Sequence, residues 1–139
     1  MQEKQRKKRI VSWVLQVMLA GLFLMAAIPK LTGDPMAAAM VAKLGLGGWA
    51  GYAIGLTELT VAVLLVIPRT VIYGALLGLV VLGGAILSHL TVLGISLGED
   101  DGGSMFMMAI GGAVIAGILS YLRRRPLMIL VGKEAISNP

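Results

Sequence analysis

The sequence contains no cysteine and a single histidine, and these scarcities exclude several kinds of site. Without cysteine the chain has no disulfide framework, no thiol chemistry and no thiolate ligand for a metal. One histidine, with no second histidine or carboxylate at a ligand spacing, gives too few ligands to favour a haem or transition-metal site. We therefore predict no metal centre and no covalently held cofactor.

Charged residues are also scarce, at 14% of the chain, whereas 58% of the residues are hydrophobic. Such a composition lies well outside the average for soluble domains and indicates an integral protein of the lipid bilayer. The net charge of +5 does not predict a nucleic-acid partner, because the basic residues flank apolar segments instead of forming a stripe with aromatic residues. Anionic lipid headgroups are the partners that this pattern favours.

Four apolar segments are long enough to cross a bilayer, since a helical span needs about 20 residues. We predict an all-α membrane protein, a four-helix transmembrane bundle between a basic head at residues 1–9 and a basic tail at residues 123–139. The membrane domain covers residues 10–122, with spans at about residues 10–30, 49–67, 70–94 and 105–122. The head and first span also resemble a secretory signal peptide, but the apolar run is about twice the usual length, which favours a retained helix.

The first loop between spans contains a segment with the pattern of a short helix. Thr32 or Asp34 can cap this helix, and Pro35 suits its first position. The letters PMAAAMVAKLG then give about two turns before several glycines end the helix. We predict a short interfacial helix in this loop.

Lysine and arginine are distributed unequally between the two ends of the predicted spans. With a cytoplasmic N-terminus, ten of them lie on the inner side, and only Lys30 and Lys43 lie on the outer side. The positive-inside rule then predicts that both termini are cytoplasmic. In this topology the last loop presents an acidic cluster to the outside, made of Glu99, Asp100 and Asp101.

Polar side chains are rare within the spans, where an ionisable group at mid-helix costs about 2.5–3.5 kcal/mol. Helical periodicity assigns Gln16 and Lys30, Glu58, and His89 to the packing faces of the first, second and third spans. Two of these faces carry small-residue pairs typical of close helix packing, Gly51 with Gly55 and Gly74 with Gly78. Because lipid-facing polar groups would be unpaired, we predict that they converge on a pocket in the outer half of the bundle.

A structural interpretation of these polar residues stands beside the functional one. Glu58 can accept hydrogen bonds from Thr57, Thr60, His89 or Lys30 and so join helices. Lys30 can simply extend its ammonium group to the membrane interface. The sequence identifies no catalytic residue.

A series of short motifs runs from about Leu22 to Leu119. In order they are Phe23 through Lys30-Leu31-Thr32-Gly33, Gly55-x-x-Glu58-Leu59, Leu65 through Ile67-Pro68-Arg69-Thr70, Gly74-Ala75, Gly84-Ala85-Ile86-x-x-His89, Gly94-Ile95, Asp101-Gly102-Gly103 and Phe106. In this order and spacing they resemble the DoxX family of four-helix bacterial membrane proteins. The resemblance implies a cytoplasmic-membrane location, with polar positions at Lys30, Glu58 and His89. It also implies redox associations, since better-known relatives are thiosulfate–quinone oxidoreductase subunits and membrane partners of a superoxide dismutase and a sulfurtransferase.

Three functional hypotheses follow. The first is a binding module for a quinone or other amphipathic small molecule, acting as an accessory subunit beside redox partner proteins; without a thiol, any redox role needs a bound quinone or a partner's cofactor. In it, Glu58 and His89 bind the polar end of the ligand and relay a proton. The second is a non-catalytic scaffold or assembly protein, including a homodimer through the glycine faces. The third is a small proton-coupled transporter, disfavoured because four spans lack the repeats of typical carriers.

Overall fold

The computed structural model describes residues 1–96, 101–125, 128–129 and 132. Four helices of this part of the chain, with the third counted through its π-helical end, are long and apolar enough to cross a membrane. A shorter helix occupies the first loop, as predicted. The predicted all-α membrane fold is confirmed, and the cytoplasmic placement of the termini stays a prediction. The elements are α1 (Gln2–Thr32), α2 (Pro35–Lys43), α3 (Gly48–Val66), α4 (Val71–Ser88), a π-helical turn (His89–Leu93) and α5 (Ser104–Leu122).

The first helix is longer than a bilayer requires. Its 31 residues extend about 46 Å at 1.5 Å per residue, whereas the hydrocarbon core is about 30 Å thick. The basic head is therefore a helical continuation of the first span. An ion pair between Lys7 and Glu3, at 2.9 Å, lies on the exposed surface of this extension.

A tight turn at Gly33 and Asp34 connects α1 to α2 at the end of the first span. Gly33 ends α1 with a φ of 74°, a left-handed conformation that favours glycine. The Asp34 carboxylate then accepts hydrogen bonds from two amides in the first turn of α2, and Pro35 is the first helical residue. Of the two predicted capping candidates, Asp34 is the cap, because the Thr32 hydroxyl donates to the Ile28 carbonyl of its own helix.

The four long helices form a ring in which α1 packs against α3 and α5, and α4 packs against the same two helices. The outward faces of these helices are apolar and exposed, as contact with lipid requires. Only a minority of the residues of each helix are buried against its neighbours. The largest fully buried side chains are Phe23, Leu19, Leu65, Leu119, Gln16, Val61 and Val71, and all of them except Gln16 belong to one hydrophobic cluster.

Glycine allows the helices to approach closely at particular contacts. A Cβ atom added to Gly55 would lie 3.0 Å from side-chain atoms of α1, and one added to Gly74 would lie 3.0 Å from Leu64 in the last turn of α3. A Cβ on Gly78 would lie 3.1 Å from the Phe23 ring. At Gly51, in contrast, the nearest side-chain atom would be 3.7 Å away, which is ordinary contact.

Candidate functional site

An ion pair between Lys30 of α1 and Glu58 of α3 lies inside the bundle. The Lys30 ammonium nitrogen lies 3.0 Å from one Glu58 carboxylate oxygen and 2.9 Å from the other. It also donates to the Ala26 carbonyl oxygen at 2.9 Å, one turn back along its own helix. These three bonds use the full donor capacity of a lysine ammonium group.

The pair is largely shielded from the surroundings. The Glu58 side chain is 8% exposed and the Lys30 side chain 20% exposed. Isolated charges at this depth are costly, and removal of one member would leave the other buried without a counter-charge. The pair therefore joins α1 to α3 as one electrostatic unit.

The axial offset of the helices explains how Lys30 reaches Glu58. Lys30 lies in the last turn of α1, whereas Glu58 comes ten residues after the start of α3, about 15 Å along its axis. The N-terminal part of α3 thus extends past the end of α1, and α2 packs on it, with Val41 facing Gly51. At the level of the ion pair, the lack of a side chain on Gly55 admits Lys30 and Leu31.

His89 is buried, but its hydrogen bond is to another part of the chain. Its Nδ1 atom lies 2.8 Å from the Gly94 carbonyl oxygen, and its ring is 5.7 Å from the Phe106 ring of α5. Because a carbonyl oxygen only accepts, His89 Nδ1 carries the hydrogen of this bond. His89 and Glu58, both in the described part of the chain, share no hydrogen bond. His89 thus begins the π-helical turn, and its side chain connects the end of that turn, at Gly94, with Phe106 of α5.

Gln16 is the fourth predicted site residue, and the structure does not bring it to the ion pair. It precedes Lys30 by 14 residues on the same helix, about 21 Å along the axis. Its side-chain amide nitrogen donates to the Ser12 hydroxyl oxygen at 2.8 Å. The same hydroxyl oxygen accepts a hydrogen bond from Arg123 Nε at 2.9 Å. Gln16 thus belongs to a polar contact between α1 and the end of α5.

The predicted acidic cluster lies only partly within the described residues. Glu99 and Asp100 lie outside the described residues. Asp101 lies in the described part and accepts a hydrogen bond from the Ser104 hydroxyl group at the start of α5. No group of three histidine, cysteine or acidic residues in the described part of the chain is arranged to hold a metal ion.

Two features were not predicted from the sequence. Gly112 of α5 is a close-contact residue, since an added Cβ would lie 3.1 Å from Leu82 and 3.3 Å from Leu22. The Gly111-Gly112 pair in the sequence was the available sign that α5 has a close helix contact here. The second feature is the Ser12–Arg123 hydrogen bond, which joins residues 111 positions apart and has no local pattern that predicts it.

Comparison with known proteins identifies the family of the chain. No curated protein and no solved structure matches it. Residues 14–97, more than half of the chain, match the profile of the DoxX-like family. The match contains both members of the Lys30–Glu58 pair and His89, and it ends before α5. On this match the chain belongs to the DoxX-like family of membrane proteins.

Proposed function

We propose that this protein is a membrane binding module in which the Lys30–Glu58 pair binds the polar end of a quinone-like amphipathic molecule, as an accessory subunit of a redox complex. The observation that carries the proposal is the buried ion pair itself. Apolar residues of similar size commonly replace a buried ion pair without loss of stability. Ionisable residues within a membrane are for this reason functional candidates.

The bonding of Lys30 suggests how a ligand would enter this site. Of its three hydrogen bonds, the one to Ala26 goes to a main-chain carbonyl that already has an amide partner in the helix. Lys30 can therefore exchange this bond for one to a quinone carbonyl without leaving Ala26 unpaired. Glu58 would hold the ammonium group in place during the exchange and could receive a proton from a reduced ligand. His89 lies apart from the pair and has no assigned role in binding the ligand.

The competing proposal is a scaffold in which the pair only joins helices. The full use of the Lys30 ammonium group within the protein favours it. The two proposals differ in what an apolar replacement of both residues should do. A scaffold keeps its function when the bundle is intact, whereas a binding module loses its ligand.

The experiment compares wild type with Glu58→Gln and with the double variant Lys30→Met/Glu58→Met. The purified proteins are titrated with a short-chain ubiquinone, with binding followed by native mass spectrometry and unfolding by heating in mild detergent. Glu3→Gln is the matched control, because it makes the same chemical change in the exposed Lys7–Glu3 pair.

We expect Glu58→Gln to lose quinone binding. Its free energy of unfolding should also fall by about 3 kcal/mol, because Lys30 stays largely buried without a counter-charge. The double variant should unfold near the wild-type temperature and still fail to bind the quinone. Equal quinone binding by the wild type and the double variant would refute the binding module and favour the scaffold.

A further inference from the structure

A cleft of about 850 Å³ lies at the end of the bundle opposite the Lys30–Glu58 pair. Its volume is within the range of small-molecule sites, about 300–1,000 Å³. Three separate segments form it: the start of α1, the turn between α3 and α4, and the end of α5. Seven of its fourteen lining residues are lysine or arginine, and none of these fourteen is acidic. We call it the basic cleft.

The convergence of these cations needs an explanation beyond membrane topology. The positive-inside rule requires only that lysine and arginine lie near the ends of spans on one side. It does not require cations from three segments, such as Arg9, Arg69 and Arg123, to line one cleft. Like charges held together repel one another, and a bound anion relieves that repulsion.

Arg123 is held in a fixed position on the wall of the cleft. Its Nε group donates to the hydroxyl oxygen of Ser12, which is 3% exposed and also accepts from the buried Gln16. Its two terminal amino groups have no hydrogen bond to any residue that the structure describes. A guanidinium group held by one nitrogen, with the other two unused, matches the bidentate geometry of a phosphate oxygen pair.

A second arginine of the cleft is also positioned by a neighbour. The Arg124 guanidinium carbon lies 4.2 Å from the centre of the Tyr121 ring, in a cation–π contact. Tyr121 is itself a lining residue. Two adjacent cations directly after α5 are therefore oriented by contacts within the protein before any ligand binds, which lowers the conformational entropy lost on binding.

We propose that the basic cleft binds the phosphate groups of an anionic lipid headgroup, with preference for a lipid that carries two phosphates. The cleft opens at the end of the membrane-spanning helices, and its lining combines the cations with apolar residues such as Ile72 and Leu122. Basic pockets between helix ends at this level bind diphosphate lipid headgroups. A soluble phosphate compound offers the same charge but no acyl chains for the adjoining lipid surface.

The test measures binding of cardiolipin, phosphatidylglycerol and phosphatidylcholine to the purified protein by native mass spectrometry. The variant Arg69→Gln/Arg123→Gln removes two cations that line the cleft. The control Lys4→Gln/Lys43→Gln removes two cations that do not line it, so both proteins have the same net charge. Inorganic pyrophosphate is titrated as a competitor to identify the source of the phosphate.

We expect cardiolipin to bind most tightly and the cleft variant to bind it about 25-fold more weakly than the control, at about fivefold for each cation. Equal binding by the two variants would overturn the proposal. Displacement of cardiolipin by equimolar pyrophosphate would show that the cleft binds soluble phosphate compounds equally well, and would overturn the proposal of a lipid ligand. If Arg123→Gln lowers the unfolding temperature, the single variant Arg124→Gln is tested in its place, because Arg124 is exposed. This variant should bind cardiolipin about fivefold more weakly than wild type. The result is independent of Glu58→Gln, because the ion pair lies at the other end of the bundle.

Discussion

Replacement of Gly55 by alanine tests whether close packing of α1 against α3 brings Lys30 to Glu58. The added Cβ would lie 3.0 Å from both the Lys30 Cβ and the Leu31 Cγ atoms, well inside the usual carbon–carbon separation of about 3.5–4.0 Å. Because the Lys30 Cβ is attached directly to the backbone, side-chain rotation cannot relieve the contact. Helix α1 must move away from α3 at the level of the ion pair.

The size of the effect follows from two opposing contributions. Overpacking of a well-packed interior typically destabilises by about 1–3 kcal/mol. Replacing glycine by alanine within a helix stabilises the helix by about 1 kcal/mol, which opposes the cost of overpacking. Gly51→Ala is the matched control, because it has the same helix preference and an ordinary 3.7 Å contact with Val41. We therefore expect Gly55→Ala to be about 1–3 kcal/mol less stable than Gly51→Ala.

The assay is reversible unfolding of the two variants in mixed micelles, followed by circular dichroism. A double-mutant cycle with Lys30→Met and Glu58→Gln, repeated in the Gly55→Ala protein, then measures the coupling energy of the ion pair. We expect the coupling to be weaker in this protein, since α1 has moved. If Gly55→Ala and Gly51→Ala agree in stability within about 0.5 kcal/mol, the close approach of the helices is refuted.

Three further changes have defined outcomes. Asp34→Ala removes the cap of α2 and should lower the free energy of unfolding by about 1 kcal/mol, measured by chemical denaturation; an unchanged value would contradict the capping role. Gly112→Ala should lower the unfolding temperature, whereas Gly111→Ala, where an added Cβ meets nothing within 4 Å, should not; equal shifts would contradict the close packing of α5. Ser12→Ala should destabilise by about 1–2 kcal/mol, because Arg123 loses an acceptor within the bundle; wild-type stability in thermal unfolding would show that the hydrogen bond contributes little.

The local elements were the easiest to predict. The turn after the first span follows from Gly33, Asp34 and Pro35, whose conformational preferences act within a few residues. The polar residues themselves were also identifiable, since Glu58 and His89 interrupt apolar segments and are buried. The partners of these polar residues were not predictable, because several candidates satisfied the same periodicity.

The sequence by itself determined four membrane-spanning helices and a short helix between the first two, because span length, hydropathy and helix caps are local properties of the chain. Only the tertiary structure decided that Glu58 meets Lys30, that His89 bonds to Gly94, and that Gln16 lies far from both. Periodicity gives the face and depth of a residue on its own helix, but a contact also depends on the order of the helices in the ring and on their axial offset. That offset arises from packing, where Gly55 admits the end of α1 and α2 packs on the part of α3 beyond it.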